Sequence, residues 1–155
     1  TAFGRHGLFD LTVNASGDLE VDAHHTIEDV GLVLGQSVRE AVGDRAGIRR
    51  FGQALAPMDD ALARVVIDCS GRPYLAYRVQ PPETQVGGVS ARLFREFFRA
   101  FSTTAGVTLH VDALEGDDPH HMLEAVFKAF GRALDDAVGA EPRNPNVPST
   151  KGSLD

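Results

Sequence analysis

Two short stretches carry side chains whose types and spacing suit metal chemistry: His24-His25-Thr26-Ile27-Glu28-Asp29 and His120-His121-Met122-Leu123-Glu124. On an α-helix, residues three and four apart share a face. Glu28 therefore sits beside either His24 or His25, and Glu124 beside either His120 or His121. The two rings of each pair point about 100° apart, so each can serve a different site. Neutral imidazole nitrogen with carboxylate oxygen is a ligand set for a borderline divalent ion: manganese, iron, cobalt, nickel or zinc. No thiolate stands nearby, which counts against a structural zinc site. Together the copies offer most of the ligands that two ions need.

A pair of surface histidines is ordinarily just polar surface. The repeat changes the balance toward metal binding. At the same offset of 96 residues Asp22 matches Asp118, Val30 matches Val126 and Gly35 matches Gly131. Ala41-Val42-Gly43 matches Ala137-Val138-Gly139 without a gap. We read an internal duplication, each half opening one helix with His-His-x-x-Glu. Asp22 and Asp118 are placed to cap those helices, the second with Pro119 at the favoured first position.

The elements that must position these residues fit one domain. The chain has 155 residues, enough for a real core, and 43% are apolar and 24% charged, as in ordinary globular proteins. No apolar run approaches the roughly 20 residues that span a bilayer. The formal net charge of −7 argues against general nucleic-acid binding but leaves room for a small anion held by placed arginines. Cys69 is the single cysteine, which excludes an intrachain disulfide and fits a reducing, cytoplasmic compartment.

Thr1 to His6 reads as the end of a helix stopped by Gly7. A strand is expected over residues 8–15, with Leu11 and Val13 inward, then a turn at Ser16-Gly17-Asp18 and a second strand over residues 19–21. The first motif helix follows, with Ile27, Val30, Leu34 and Val38 inward and Gly43 at its end. Ile48-Arg49-Arg50-Phe51 leads into a strand. Residues 61–68 form a buried strand, Ser70-Gly71-Arg72-Pro73 a turn, and residues 74–79 the returning strand of a hairpin. Ser90 is placed to cap a helix carrying Phe94, Phe97, Phe98 and Phe101 into the core. Residues 107–113 form a strand and 119–138 the second motif helix. Residues 141–155, rich in Pro, Gly and polar side chains, read alone as a disordered tail. The fold class is α+β: one domain, 1–155, of two repeats, about 1–88 and 89–140, plus the tail. By symmetry the first half should also open with a helix, so the natural protein is expected to begin upstream of residue 1.

These motifs resemble imidazoleglycerol-phosphate dehydratase. The resemblance runs through Arg5-His6-Gly7-Leu8-Phe9-Asp10-Leu11, Gly47-Ile48-Arg49-Arg50-Phe51-Gly52, Pro57-Met58-Asp59 and Ser70-Gly71-Arg72-Pro73-Tyr74. It continues through Arg95-Glu96-Phe97-Phe98-Arg99, His120 to Phe130, and Val147-Pro148-Ser149-Thr150-Lys151-Gly152. It implies a duplicated fold of the ribosomal protein S5 domain 2-like kind. It also implies trimers assembling into particles of up to 24 subunits, with two manganese ions in each active site between subunits. The implied reaction removes water from imidazoleglycerol phosphate to give imidazoleacetol phosphate, in histidine biosynthesis.

The carried-over metal ligands are His24, His25, Glu28, His120, His121 and Glu124. Phosphate and substrate contacts fall on Arg50, Arg72, Ser149 and Lys151, where the arginines suit bidentate phosphate binding or serve as surface salt bridges. His24, His25 and Glu28 count as substrate contacts too, through the imidazole. The proton to be removed lies on carbon beside a weakly activating imidazole. A Lewis-acidic ion would stabilise the charge that develops, and a carboxylate would relay the proton. Asp59 is that carboxylate, or else a turn residue before Ala61. Glu28 and Glu124 are the other acid–base candidates. Glu96 stands where family members often carry His; it either ligates manganese through oxygen or is a surface residue. The family's upstream segment, with a Phe-Asp-His-Met helix and a catalytic glutamate, is absent here, so the polypeptide is expected to be impaired alone. Two other readings compete. A different dinuclear metalloenzyme, such as a hydrolase, would cleave an ester. A metal-dependent assembly module would associate without turnover.

Overall fold

The architecture is described from a computed structural model covering residues 1–17, 22–150, 152 and 154. In chain order the elements are α1 (Ala2–His6), α2 (His24–Val42), β1 (Phe51–Met58), β2 (Ala61–Asp68), β3 (Tyr74–Arg78), β4 (Gln85–Val86), β5 (Val89–Ser90), α3 (Arg92–Ala105), β6 (Thr108–Glu115) and α4 (Pro119–Val138). The class is α+β, as the sequence implies. Among the described residues no helix is long and apolar enough to cross a membrane.

Strands β1 and β2 form an antiparallel hairpin with Asp59-Asp60 as the two-residue loop, Met58 facing Ala61 and Phe51 facing Asp68. Asp59 adopts φ +48°, the left-handed region that tight hairpin loops require and aspartate tolerates. Near the loop the inward positions of this hairpin are small, Ala54 and Ala56 on β1 and Ala61 and Ala63 on β2, with Val65 and Ile67 farther along. That lets α4 lie close. A Cβ on Gly52 would stand only 2.0 Å from the Ala133 carbonyl oxygen, so glycine is required there. The outward row Leu55, Arg64, Asp112, Arg78 crosses all four strands. In it, buried Asp112 accepts from both arginines. Burial pushes this carboxyl up, but the bonds from Arg78 and Arg64 outweigh that and hold it low.

The helices pair as α2 on α3 and α4 on α1. Each motif helix thus packs on the helix that opens the other half, the arrangement a duplication with a pseudo-two-fold would produce. Both contacts run through the repeated glycine. A Cβ on Gly35 would lie 2.6 Å from the Phe101 carbonyl oxygen, and one on Gly131 2.4 Å from that of Phe3. The aromatic core joins the pairs, with Phe130 in ring contact with Phe3, Phe98 and Phe101 at 4.8 to 5.2 Å.

Several sequence expectations need correction. Residues 8–17 form no strand: Leu8 turns at φ +56° and is 83% exposed, Val13 is 47% exposed, and only Phe9 and Leu11 pack on the core. The strand expected at 19–21, and Asp18 of the preceding turn, lie outside the described residues. Strand β3 does not return beside β2. The sheet order is β1-β2-β6-β3: β6 takes the edge of β2, and β3 pairs parallel with β6, Tyr74 facing Thr108. Ser90 belongs to β5 and does not cap α3, whose N-cap is Ala91 without a side-chain bond. Asp118 caps α4 as expected, but α2 has Ala23 at the cap position, with Asp22 accepting the His24 N–H from one residue farther out. The tail is anchored. Arg45 donates to the Leu154 carbonyl at 2.8 Å, Arg50 donates to that of Pro148 at 2.7 Å, and Leu154 is buried.

Candidate functional site

The second motif opens α4, and its cap fixes it. Asp118 accepts the N–H groups of His120 (2.7 Å) and His121 (3.0 Å), and Pro119 supplies the preset helical φ. These bonds hold the Asp118 carboxyl below the usual carboxylate range. One turn on, Glu124 Oε2 lies 3.4 Å from His120 Nε2. Its other oxygen takes Lys128 Nζ at 2.8 Å, and this bond depresses the Glu124 pKa. Lys128 is steadied by Met58 Sδ at 3.0 Å. His121 turns the other way, toward the β1–β2 loop. Its Nδ1 lies 2.7 Å from Asp60 Oδ1 and its Nε2 3.6 Å from Asp59 Oδ2. The Asp60 bond raises the His121 pKa despite some desolvation, and it is also the largest reason why Asp60 lies far below its ordinary value.

The first motif repeats the inner part of this geometry. His24 Nε2 lies 3.6 Å from Glu28 Oε2. The paired rings stand at 62° in this copy and 65° in the other. The surroundings differ. Glu28 faces Arg99 at 3.5 Å, and the same guanidinium binds Glu96 at 2.6 Å. Glu96 is thus brought beside Glu28, with a cation between them.

Two ligand atoms each about 2.1 Å from one ion stand roughly 3.0 Å apart at a right angle and about 3.4 Å apart in a tetrahedral arrangement. The His–Glu separations of 3.4 and 3.6 Å fit that span in both copies with little movement. Among the described residues, no three His, Cys, Asp or Glu side chains gather closely enough to hold an ion. Each copy therefore offers a His–Glu pair at chelating distance with further groups nearby, and a complete metal shell would need ligands from elsewhere. His120 and Glu124 also stand at the rim of an open apolar groove of about 760 Å³, lined by Phe3, Val30, Leu34, Phe94, Phe97 and Phe127.

The expected anion contacts lie apart from the histidine pairs. Arg50, at φ +74°, commits Nε and Nη2 to Asp68 (2.7 and 3.2 Å) and Nη1 to Pro148. It thereby holds the tail beside Ser149. Arg72 is exposed in the turn after β2, and its guanidinium has no hydrogen bond or ion pair among the described residues. Lys151 lies outside the described residues. Sequence reasoning missed Asp60, Lys128 and Arg99. Lys128 was signalled by its i+4 spacing from Glu124; Asp60 and Arg99 come from other elements, and no local pattern points to them.

Comparison with known proteins completes the picture. The sequence model of the imidazoleglycerol-phosphate dehydratase family matches residues 1–134. Imidazoleglycerol-phosphate dehydratase of Geobacter metallireducens is 54% identical over 152 residues, 98% of this chain and 78% of that protein. That of Acidithiobacillus ferrooxidans is 56% identical over 151 residues, 97% and 76%. The crystal structure of the Staphylococcus aureus dehydratase superposes with a TM-score of 0.83 at 42% identity, covering 90% of this chain and 80% of that one. The Pyrococcus furiosus enzyme, solved in complex with (S)-C348, gives 0.80 at 34% identity, covering 99% and 82%. With both the family model and these relatives spanning most of it, this chain belongs to the imidazoleglycerol-phosphate dehydratase family of hydro-lyases.

Proposed function

We propose that the chain acts in histidine biosynthesis by dehydrating imidazoleglycerol phosphate to imidazoleacetol phosphate, at dinuclear manganese sites completed between copies of the chain in the cytoplasm. The observation that carries the metal reading is the duplicated His–Glu chelate, 3.6 Å in α2 and 3.4 Å in α4. Manganese accepts this mixture of imidazole and carboxylate. His24, Glu28, His120 and Glu124 hold the ions, joined by His25 and His121 from the neighbouring helical positions. Glu96 joins them only if Arg99 gives way. When bound, the metal supplies Lewis acidity toward the substrate imidazole.

The chain's own groups do the rest. Asp59 is exposed at the tip of the β1–β2 loop, facing His121, and is placed to take the proton from carbon. Glu28 and Glu124 are the remaining acid–base carboxylates; Glu124, held ionised by Lys128, has to accept a proton before it can pass one to the departing hydroxyl. Arg72, with an uncommitted guanidinium, binds the phosphate; Arg50 presents the tail carrying Ser149, with Lys151 following in sequence. The substrate loses a carbon-bound hydrogen and a hydroxyl as water, and the enol left behind tautomerises to the ketone.

Self-association, as trimers and assemblies of up to 24 subunits, is supported by the outer face of the sheet, where Phe51, Leu55 and Tyr74 stand 59%, 52% and 57% exposed. Native mass spectrometry with and without manganese, paired with an assay of ketone formation from imidazoleglycerol phosphate, tests the reading. Uptake of about two ions per chain with growth in particle mass is expected, together with turnover that Glu124→Gln abolishes. Metal-driven assembly without turnover would favour the assembly module, and ester cleavage a hydrolase.

A further inference from the structure

Asp60 makes three bonds from one carboxylate. Oδ2 accepts the backbone N–H groups of Asp117 (2.6 Å) and Asp118 (3.0 Å), and Oδ1 lies 2.7 Å from His121 Nδ1. The first two bonds tie the β1–β2 loop to the residues just before α4. The third has a chemical consequence. An ionised carboxylate only accepts hydrogen bonds, so the ring nitrogen facing it must carry the hydrogen. A neutral imidazole has one N–H, which leaves the lone pair on Nε2. That nitrogen points to the open side, toward Asp59.

We propose that Asp60 is a positioning residue that locks His121 in its Nδ1–H tautomer and so makes Nε2 the only ring atom able to ligate a metal. The inference rests on His121 being a ligand, as read above. It goes further by naming the ligating atom and the group that selects it. It also separates the two copies. His25, the residue equivalent to His121, makes no hydrogen bond or ion pair among the described residues, so none of these holds its ring in one tautomer. The α4 copy is therefore prepared for metal before metal arrives. A carboxylate partner also raises the basicity of the ligating nitrogen and restricts ring rotation.

Asp60→Asn separates the tautomer from the clamp. The amide oxygen can still accept the Asp117 and Asp118 N–H groups. Its NH2 group then donates to Nδ1, which forces the hydrogen onto Nε2 and blocks the ligand atom. The tautomer is read on metal-free full-length chain with 15N-labelled histidine at alkaline pH, where the ring is neutral. Manganese affinity is read separately, by the electron paramagnetic signal of free Mn2+. We expect Nδ1–H in the parent and Nε2–H in Asp60→Asn, with manganese affinity at the α4 copy falling by about 10- to 100-fold. Asp60→Ala should lose affinity and also lower the unfolding midpoint, because the clamp goes with it. An Nε2–H ring in the parent, or unchanged manganese affinity in Asp60→Asn, would overturn the proposal. A parent that shows the Nδ1–H ring but takes up no manganese would instead sink the metal reading of the previous subsection, leaving the tautomer assignment intact.

Discussion

Gly35 and Gly131 occupy equivalent places in α2 and α4, and alanine at either should loosen the helix pair that presents the adjoining motif. At Gly35 the new Cβ would lie 2.1 Å from Thr104 Oγ1, 2.6 Å from the Phe101 carbonyl oxygen and 3.0 Å from the Ala105 nitrogen, where ordinary contact starts at 3.4 Å. The Phe101 carbonyl would have to retreat by about 0.8 Å, and α3 cannot yield locally because Phe101 and Phe98 anchor it in the core. Such overpacking costs about 1–3 kcal/mol. Displacing the Thr104 hydroxyl, which donates to the carbonyls of Leu32 and Ala100, adds about 1 kcal/mol. The better helix propensity of alanine returns about 1 kcal/mol. The net loss for Gly35→Ala is about 2 kcal/mol, or about 4–8 °C in Tm for a chain of this length. Gly131→Ala should cost less. The clash there is with the Phe3 carbonyl in the five-residue α1, which can be pushed aside for roughly the burial energy of one phenylalanine, about 1.5–3 kcal/mol before the same propensity gain. Urea and thermal unfolding followed by circular dichroism, at one fixed protein concentration, measure both. Either variant matching or exceeding the parent would refute the close-approach argument.

Two further outcomes follow from the charge states. The Asp60 bond raises the His121 pKa above its unfolded value near 6.5. Its contribution to stability is therefore complete below about pH 6.5 and is lost as pH rises through the higher folded value. In metal-free protein the stability gap between the parent and His121→Gln should thus shrink toward alkaline pH. Manganese uptake, which needs the neutral ring, should run the opposite way and weaken as pH falls through the same window; urea midpoints and metal titrations across pH 5.5–9 check both signs. Cys69 is buried and its thiol is pushed up to about 11 by that burial. A thiol-specific chromogenic reagent at neutral pH should leave it unmodified in native protein and titrate one thiol per chain in urea; rapid native labelling would contradict its placement.

The two His-His-x-x-Glu motifs were legible because their geometry is local. A histidine and a glutamate four apart on a helix meet whatever surrounds them, so α2 and α4 show nearly the same pair distance and ring angle. The buried strand over residues 61–68 was equally readable, its inward positions alternating along it, but its hairpin partner is β1 rather than the strand after it. What failed depended on partners far along the chain. Strand β3 was assigned to β2 because they are consecutive, but its partner β6 begins 34 residues after it, at Thr108 opposite Tyr74. Residues 8–15 had apolar side chains near strand spacing but pair with no strand among the described residues. The tail looked disordered by composition because its anchors are its own backbone carbonyls, accepting from Arg45 and Arg50, and no composition shows those.

The same division explains why the two copies are alike inside and unlike outside. The offset that pairs Glu28 with Glu124 puts Leu32 opposite Lys128, so only the second glutamate has a lysine one turn on. The first instead meets Arg99 from α3, together with Glu96. One histidine of the second pair is held by Asp60 from a hairpin loop; its counterpart His25 has no such partner among the described residues. What the helix itself enforces, the His–Glu pair, is alike in both copies, and the surrounding groups differ with the elements that supply them. The two motif copies therefore differ in the charge around their carboxylates and, among the described residues, in what holds their second histidine.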